Sequence, residues 1–314
     1  MTITFLGSGS AFVLAEENYH SNILFEKTVT ETEPSEPSPV AFPDEVESTI
    51  QPSQSVEPSQ DNQKEKTEKT EKTVTYRMLM DAGPSIAESL NANNLKPTDI
   101  DTIFISHLHG DHVYGLEYLG FRTYFIEPFG SHKPKLVVPS AFAEALWDDV
   151  LRGTMRQLQG TRANLNTYFK PFKVKPRDGF KFAGTEFWAT QVPHIISDLE
   201  EVPAFGLKFT EDNTKIFITG DTLFDFWRHI GNYEWADVIF HDCEMLKYEN
   251  SSHAQFHQLK ELPKEYKKKM YLYHYMLYGK TFEELEQEVL DAGFAGLVRR
   301  GQKFETKTIK ENLK

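Results

Sequence analysis

Six consecutive residues, His107-Leu108-His109-Gly110-Asp111-His112, hold three imidazoles and a carboxylate. The run Ile100 to Ser106 before them is apolar and β-branched, which predicts a buried strand. His107 then leaves the C-terminal end of that strand, where α/β sheets place their ligands. An isolated loop histidine ordinarily packs or faces water, but three in six residues beside a glycine form an N/O donor set suited to Zn²⁺, Mn²⁺ or Fe. His107 and His109 can converge on one ion from a turn, leaving Asp111 and His112 to serve a second.

Three further segments present single donors of the same kind. His194 follows Thr190-Gln191-Val192-Pro193, read as a strand end. Asp221 closes Ile216-Phe217-Ile218-Thr219-Gly220, a strand running into a glycine turn. His274 follows the apolar run Met270-Tyr271-Leu272-Tyr273. This ordered set resembles the metallo-β-lactamase superfamily, whose members carry H-x-H-x-D-H, a distant His, a bridging Asp and a final His. The resemblance runs from Met1-Thr2-Ile3-Thr4-Phe5-Leu6-Gly7-Ser8-Gly9 through the Asp81-Ala82-Gly83 turn to His274. It implies an αββα sandwich, two mixed β-sheets packed face to face and flanked by helices. It also implies two divalent metal ions, Zn²⁺ first with Mn²⁺ or Fe²⁺ as alternatives. His107, His109 and His194 would hold one ion, Asp111, His112 and His274 the other, with Asp221 as the bridge. Asp at that bridge, in place of Cys, argues against β-lactam hydrolysis. His109, where the flavin-linked di-iron branch has Glu, argues against redox chemistry.

A second pair narrows the resemblance. Trp235 to Cys243 reads as a strand ending in His241-Asp242, and Ser251-Ser252-His253-Ala254 follows. These resemble the His-Glu-Ala-Thr and His-Ser-Thr motifs of RNase Z-type phosphodiesterases, in which a carboxylate orients a histidine that protonates the leaving oxygen. Asp242 and His253 fall on those places, with Asp one methylene shorter than Glu. The residues assigned to the chemistry are therefore Asp111, Asp242 and His253. His241 and His257 are left evenly between a site role and none, and His20 between lining the pocket and facing solvent. His132 and His229 are expected at the surface, and Cys243 in packing rather than as a nucleophile.

The formal net charge is −13, the wrong balance for a protein that neutralises a long polyphosphate. A tRNA 3′ endonuclease of this branch also needs an arm between the third-motif His and the bridging Asp. Only 26 residues separate His194 from Asp221, and Phe205 to Phe209 with a hairpin to Ile216 consume them. The favoured function is a dinuclear phosphodiesterase acting on a small phosphodiester such as a cyclic nucleotide. The alternatives are the tRNA 3′ endonuclease, a lactone or thioester hydrolase, and a non-catalytic nucleotide sensor. The aromatic stretch Tyr118 to Phe125 is expected in the core, with a base-stacking wall as its other reading.

The organisation is read as one domain over 1–314, interrupted at 28–75 by a low-complexity insertion. That insertion carries the repeat Lys64 to Lys72, reads as disordered, and parts two strands of a hairpin, Ser21–Glu26 and Tyr76–Asp81. A partner-docking role for it is the lesser reading. Helices are expected from Pro84 to Leu90, from Ser140 to near Gly153, and from a capping box of Thr281 and Glu284 to Gly293. One cysteine excludes an intrachain disulfide, and no apolar run approaches the ~18 residues that span a bilayer. These point to a cytoplasmic protein with no membrane contact, and a homodimer is compatible with them.

Overall fold

In the computed structural model the described residues are 1–14, 17–32, 71–126, 132–175, 178–197 and 201–313. Most of the low-complexity insertion falls outside them. Two seven-stranded sheets carry the fold. In spatial order the first comprises Lys303–Glu305, Thr2–Gly7, Asn22–Thr32, Glu71–Met80, Thr102–Phe104, Lys135–Pro139 and Lys170–Val174. The second comprises Gly296–Leu297, Met270–Tyr273, Val238–Asp242, Thr214–Ile218, Glu201–Glu211, Thr185–Ile196 and Gly179–Phe182. Both are mixed. In each, four consecutive strands run parallel and the others antiparallel. The two strands parted by the insertion are neighbours in the first sheet.

Phenylalanines join the inner faces. Phe5 meets Phe240 at 4.9 Å between ring centroids, Phe25 meets Phe187 at 5.6 Å, and Phe104 stacks on Phe180 at 5.7 Å. Such pairs contribute about 0.5–1.5 kcal/mol each beyond area burial. The outer faces are covered by helices. Ile86, Leu90, Leu116 and Leu119 pack on the first sheet's side, and Tyr233, Leu285 and Val289 join Phe217 and Ile239 behind the second. Central strands such as Val238-Ile239-Phe240 are therefore buried on both sides, which is why they read as continuous apolar runs.

Two compact units are distinguished, Met1–Lys27 with Tyr76–Lys314, and Thr28–Thr75. The first contains both sheet cores and all the site residues. Within the second, Thr28 and Thr75 share a hydroxyl hydrogen bond of 2.9 Å. Helix limits depart from expectation in two places. The first helix is Ile86–Ala92 with Ser85 at its N-cap, so Pro84 stands outside it. The helix expected from Ser140 starts at Ala143, widens to a π-helical segment at Leu146–Leu151, and runs past Gly153 to Met155. The Thr281 capping box forms: Glu284 N–H donates to Thr281 Oγ1 (3.2 Å) and Thr281 N–H to Glu284 Oε2 (2.7 Å).

Candidate metal centre

Parallel strand order brings the donors together. His107, Asp221, Asp242 and His274 all lie at or just past the C-terminal ends of parallel strands, so four chain-distant residues emerge at one edge of the sandwich. Gly220, left-handed at φ 63°, makes the turn that presents Asp221. His109 precedes the short helix Gly110–Val113, which carries Asp111 and His112. His194 corrects the sequence reading. It lies inside the long strand Thr185–Ile196, at a register shift between Val192 and Ile195. A bulge gives a strand residue the aim of a strand end, and it is also where a strand tolerates the neighbouring Pro193.

Asp221 is the geometric centre. Its Oδ2 is 3.2 Å from His112 Nε2, 3.7 Å from His107 Nε2 and 3.9 Å from His194 Nε2, while Oδ1 is 3.3 Å from His274 Nε2. Asp111 Oδ2 lies 3.1 Å from His112 Nε2 and 3.5 Å from His274 Nε2. Donor atoms of His107, His109, His194 and Asp221 all fall within 4.8 Å of one another, as do those of Asp111, His112, Asp221 and His274.

The residues fit divalent cations on the structure's own terms. His107 Nε2, His274 Nε2 and Asp221 Oδ1 are buried polar atoms without a hydrogen-bond partner, all facing the same small volume. Such orphans are rare in folded proteins and call for an explanation. His194 Nε2 and His109 Nδ1 are 3.1 Å apart, a contact in which a shared cation would satisfy both lone pairs. Burial holds His107 well below the ordinary imidazole range and His194 down to about 4, so both are neutral and ready to donate lone pairs. Burial also opposes charge at His112 and His274, but Asp221 and the other carboxylates outweigh it and hold both well above that range. Asp221 in turn lies well below the usual carboxylate range, burial being overcome by His112 and His274.

Asp81, which sequence reasoning passed over as part of a turn, stands directly behind the candidate site. It accepts His112 Nδ1–H at 2.8 Å, Ser106 N–H at 2.7 Å and Ser106 Oγ–H at 2.8 Å, and Ser106 Oγ lies 3.0 Å from His107 Nδ1. One carboxylate thus fixes two rings of the candidate site, directly and through a serine. Asp81 sits at φ 67°, unusual for a non-glycine residue. The signal in the sequence was an Asp ending an apolar strand before Gly83, whose added Cβ would lie 2.0 Å from the Asp111 carbonyl oxygen.

Asp242 and His253 also meet here. His253 Nδ1 donates to Asp242 Oδ2 at 2.8 Å, Asp242 Oδ1 is 3.2 Å from His274 Nδ1, and Thr222 N–H donates to Asp242 Oδ2 at 2.8 Å. Burial lowers the affinity of His253 for a proton, but Asp242 more than compensates and its pKa is raised.

The other histidines divide differently from expectation. His229, expected at the surface, is 1% exposed, because it sits on the helix face that covers the second sheet and contacts Thr222 Oγ1 at 2.9 Å. His132 is half-buried, held 2.8 Å from the Ile100 carbonyl. His241 points away from the centre to Tyr233 (2.7 Å). His20 lies beside the centre with its ring on Ser85 Oγ (2.9 Å), and burial lowers its pKa. Of the aromatic stretch, Tyr118, Phe121 and Tyr124 pack partly on the core and Phe125 stays 60% exposed. Cys243 is fully buried in packing.

Comparison with known proteins follows the same lines. Residues 70–304 match the family described as "Anti-Pycsar protein Apyc1". A relative of that name from Bacillus phage vB_BveM-Goe7 is 28% identical over 221 residues, covering 67% of this chain and 80% of the relative. One from Paenibacillus harenae is 29% identical over 214 residues, covering 67% and 81%. Among solved structures, the metallo-β-lactamase fold protein YhfI of Bacillus subtilis superposes with TM-score 0.61 at 15% identity, covering 96% of this chain and 98% of that one. Human tRNase Z, short form, gives 0.56 at 16%, covering 98% and 99%. Yeast PDE1 gives 0.59 at 13%, covering 96% and 98%. At those identities the likeness is one of fold, and the fold is that of the metallo-β-lactamase superfamily. With the family match spanning most of its length, the chain belongs to the Anti-Pycsar protein Apyc1 family.

Proposed function

We propose that this hydrolytic enzyme is a phosphodiesterase that opens a small cyclic nucleotide, using two divalent ions, Zn²⁺ first among them. The observation that carries the reading is Asp221, whose Oδ2 lies between His107 and His194 of one donor group and His112 of the other, with Oδ1 on His274. His107, His109 and His194 would hold one ion, and Asp111, His112 and His274 the other, with Asp221 shared. When bound, such a pair supplies Lewis acidity to a phosphate and acidifies a water. Asp81 and Ser106 hold the His112 and His107 rings in place. Asp111 faces both His112 and His274, so its carboxylate joins the two sides of the second ion's group. His253 acts on the leaving side: with Nδ1 committed to Asp242, its Nε2 is the atom that delivers a proton to the departing ribose oxygen.

A small substrate is supported by family membership, by the −13 net charge, and by the pairing of Glu201–Glu211 with Thr214–Ile218 where a tRNA-gripping arm would be inserted. A thioester leaves as a thiolate that needs no proton from the Asp242–His253 pair, whereas a lactone expels an alkoxide that does, so the lactone reading is separated by assay. Metal-loaded protein assayed on bis(p-nitrophenyl) phosphate, 3′,5′-cyclic nucleotides, a tRNA precursor and a lactone panel tests the reading. Turnover of both phosphodiesters and neither of the others is expected. Preference for tRNA or a lactone contradicts it, and binding without turnover would favour a sensor.

A further inference from the structure

The bulge that aims His194 is anchored from outside its own strand pair. Val192 pairs with Ala204 and Ile195 with Val202, but among the described residues Pro193 and His194 have no register partner between them. The ladder therefore leaves their direction unset. Residues just past Asp221 supply the missing contacts. The Pro193 carbonyl accepts Thr222 Oγ–H at 2.9 Å and Leu223 N–H at 2.6 Å, and Thr222 is fully buried.

The Thr222 hydroxyl has a fixed direction. Its oxygen carries one proton and meets two carbonyls, that of Pro193 and, at 3.1 Å, that of Leu223. Its third contact is His229 Nε2 at 2.9 Å. A carbonyl can only accept, so His229 Nε2–H donates and the threonine proton stays on the carbonyl side. His229 Nδ1 is accordingly the nitrogen left without a partner. The main chain of Thr222 adds two bonds: its N–H donates to Asp242 Oδ2 at 2.8 Å, and its carbonyl accepts Ala254 N–H at 2.7 Å. The second seats the segment in which the Ser252 carbonyl accepts His194 Nδ1–H at 2.8 Å. That carbonyl keeps the His194 proton on Nδ1 and leaves Nε2 bare towards Asp221.

We infer that the Thr222 side chain is a positioning group for the candidate cation site: by holding the Pro193 carbonyl it sets the direction of His194. The inference rests on the two-ion reading above and adds a residue that adjoins Asp221 in the chain yet serves a donor 28 positions earlier.

The test titrates metal-free, full-length protein with Zn²⁺ against a chromogenic chelator, beside denaturant unfolding of the same metal-free protein. Thr222→Val keeps the shape and both main-chain bonds but lacks the hydroxyl, and should bind Zn²⁺ more weakly by on the order of tenfold. Thr222→Ser, which keeps the hydroxyl, should bind as the wild type does. Valine also strands His229 Nε2–H, so the double variant Thr222→Val with His229→Phe separates positioning from stability. Replacing both polar partners should return most of the lost unfolding free energy while Zn²⁺ binding stays weak. Affinity that recovers with stability in the double variant, unchanged affinity in Thr222→Val, or an equal loss in Thr222→Ser would overturn the inference. A wild type that binds no Zn²⁺ overturns the two-ion reading and this inference with it.

Discussion

Two buried histidine clusters lie on opposite sides of the strand Val238–Asp242, and only one of them is arranged as a site. His241 and Asp242 are adjacent in that strand, so their side chains point to opposite faces. Asp242 faces His253 and His274; His241 faces Tyr233 and His229. In front, four carboxylates converge on the imidazoles and several donor atoms lack partners. Behind, Thr222 Oγ1 contacts His229, while Tyr233 Oη and the Asp242 carbonyl take both nitrogens of His241. Burial then dominates the charge: His229 is pushed down to about 3 and His241 is lowered, whereas the carboxylates hold His112 and His274 up. Buried histidine by itself is packing. His229 Nδ1 in the rear cluster is also unpartnered, so it is the convergence of carboxylates on the imidazoles that makes a candidate cation site.

Substitutions on the two sides should separate accordingly. Asp221→Ala removes the carboxylate shared by both donor groups, so phosphodiesterase turnover should fall to background; normal turnover would remove the bridge from the account. His253→Ala should slow ribose leaving groups by on the order of 10²–10⁴ and p-nitrophenolate far less, with metal content unchanged. Equal losses on both leaving groups would show that His253 is not the acid. Asp81→Ala, which frees His112 and Ser106, should weaken metal affinity by about 10–100-fold, recoverable with excess metal; unchanged affinity in a metal titration would deny Asp81 its positioning role. On the rear side, Tyr233→Phe leaves a buried nitrogen of His241 unpaired and should cost about 1–3 kcal/mol in denaturant unfolding while metal content holds. Loss of metal in that variant would mean the two clusters are not separable.

Much of the front cluster was legible because its signals are local. His107 to His112 stand together, Asp221 and His274 each end an apolar run, and Thr281 with Glu284 announces a helix start. What escaped were consequences of distant contacts. His194 reaches the centre through a bulge set by pairing with Glu201–Glu211. His229 is buried because a helix face covers it, and Asp81 matters because His112 and Ser106 arrive beside it from 25 or more residues further along the chain. None of these can be read from neighbouring residues. The ends of the 28–75 insertion continue the two strands, to Thr32 and from Glu71; the stretch between them is proposed as a tolerated loop extension, since closure cost grows slowly with loop length. Deleting residues 30–72 should leave soluble yield and turnover nearly unchanged, and insoluble protein would mark the segment as structural.

The central claim is that Asp221 joins two cation sites, and counting metal tests it most directly. Inductively coupled plasma mass spectrometry of the purified wild type and of Asp221→Ala should find two divalent ions per chain in the first and fewer in the second. Chelation should abolish wild-type turnover, and re-addition of the metal should restore it. One ion or none in fully active wild type, or two retained in Asp221→Ala, would contradict the account.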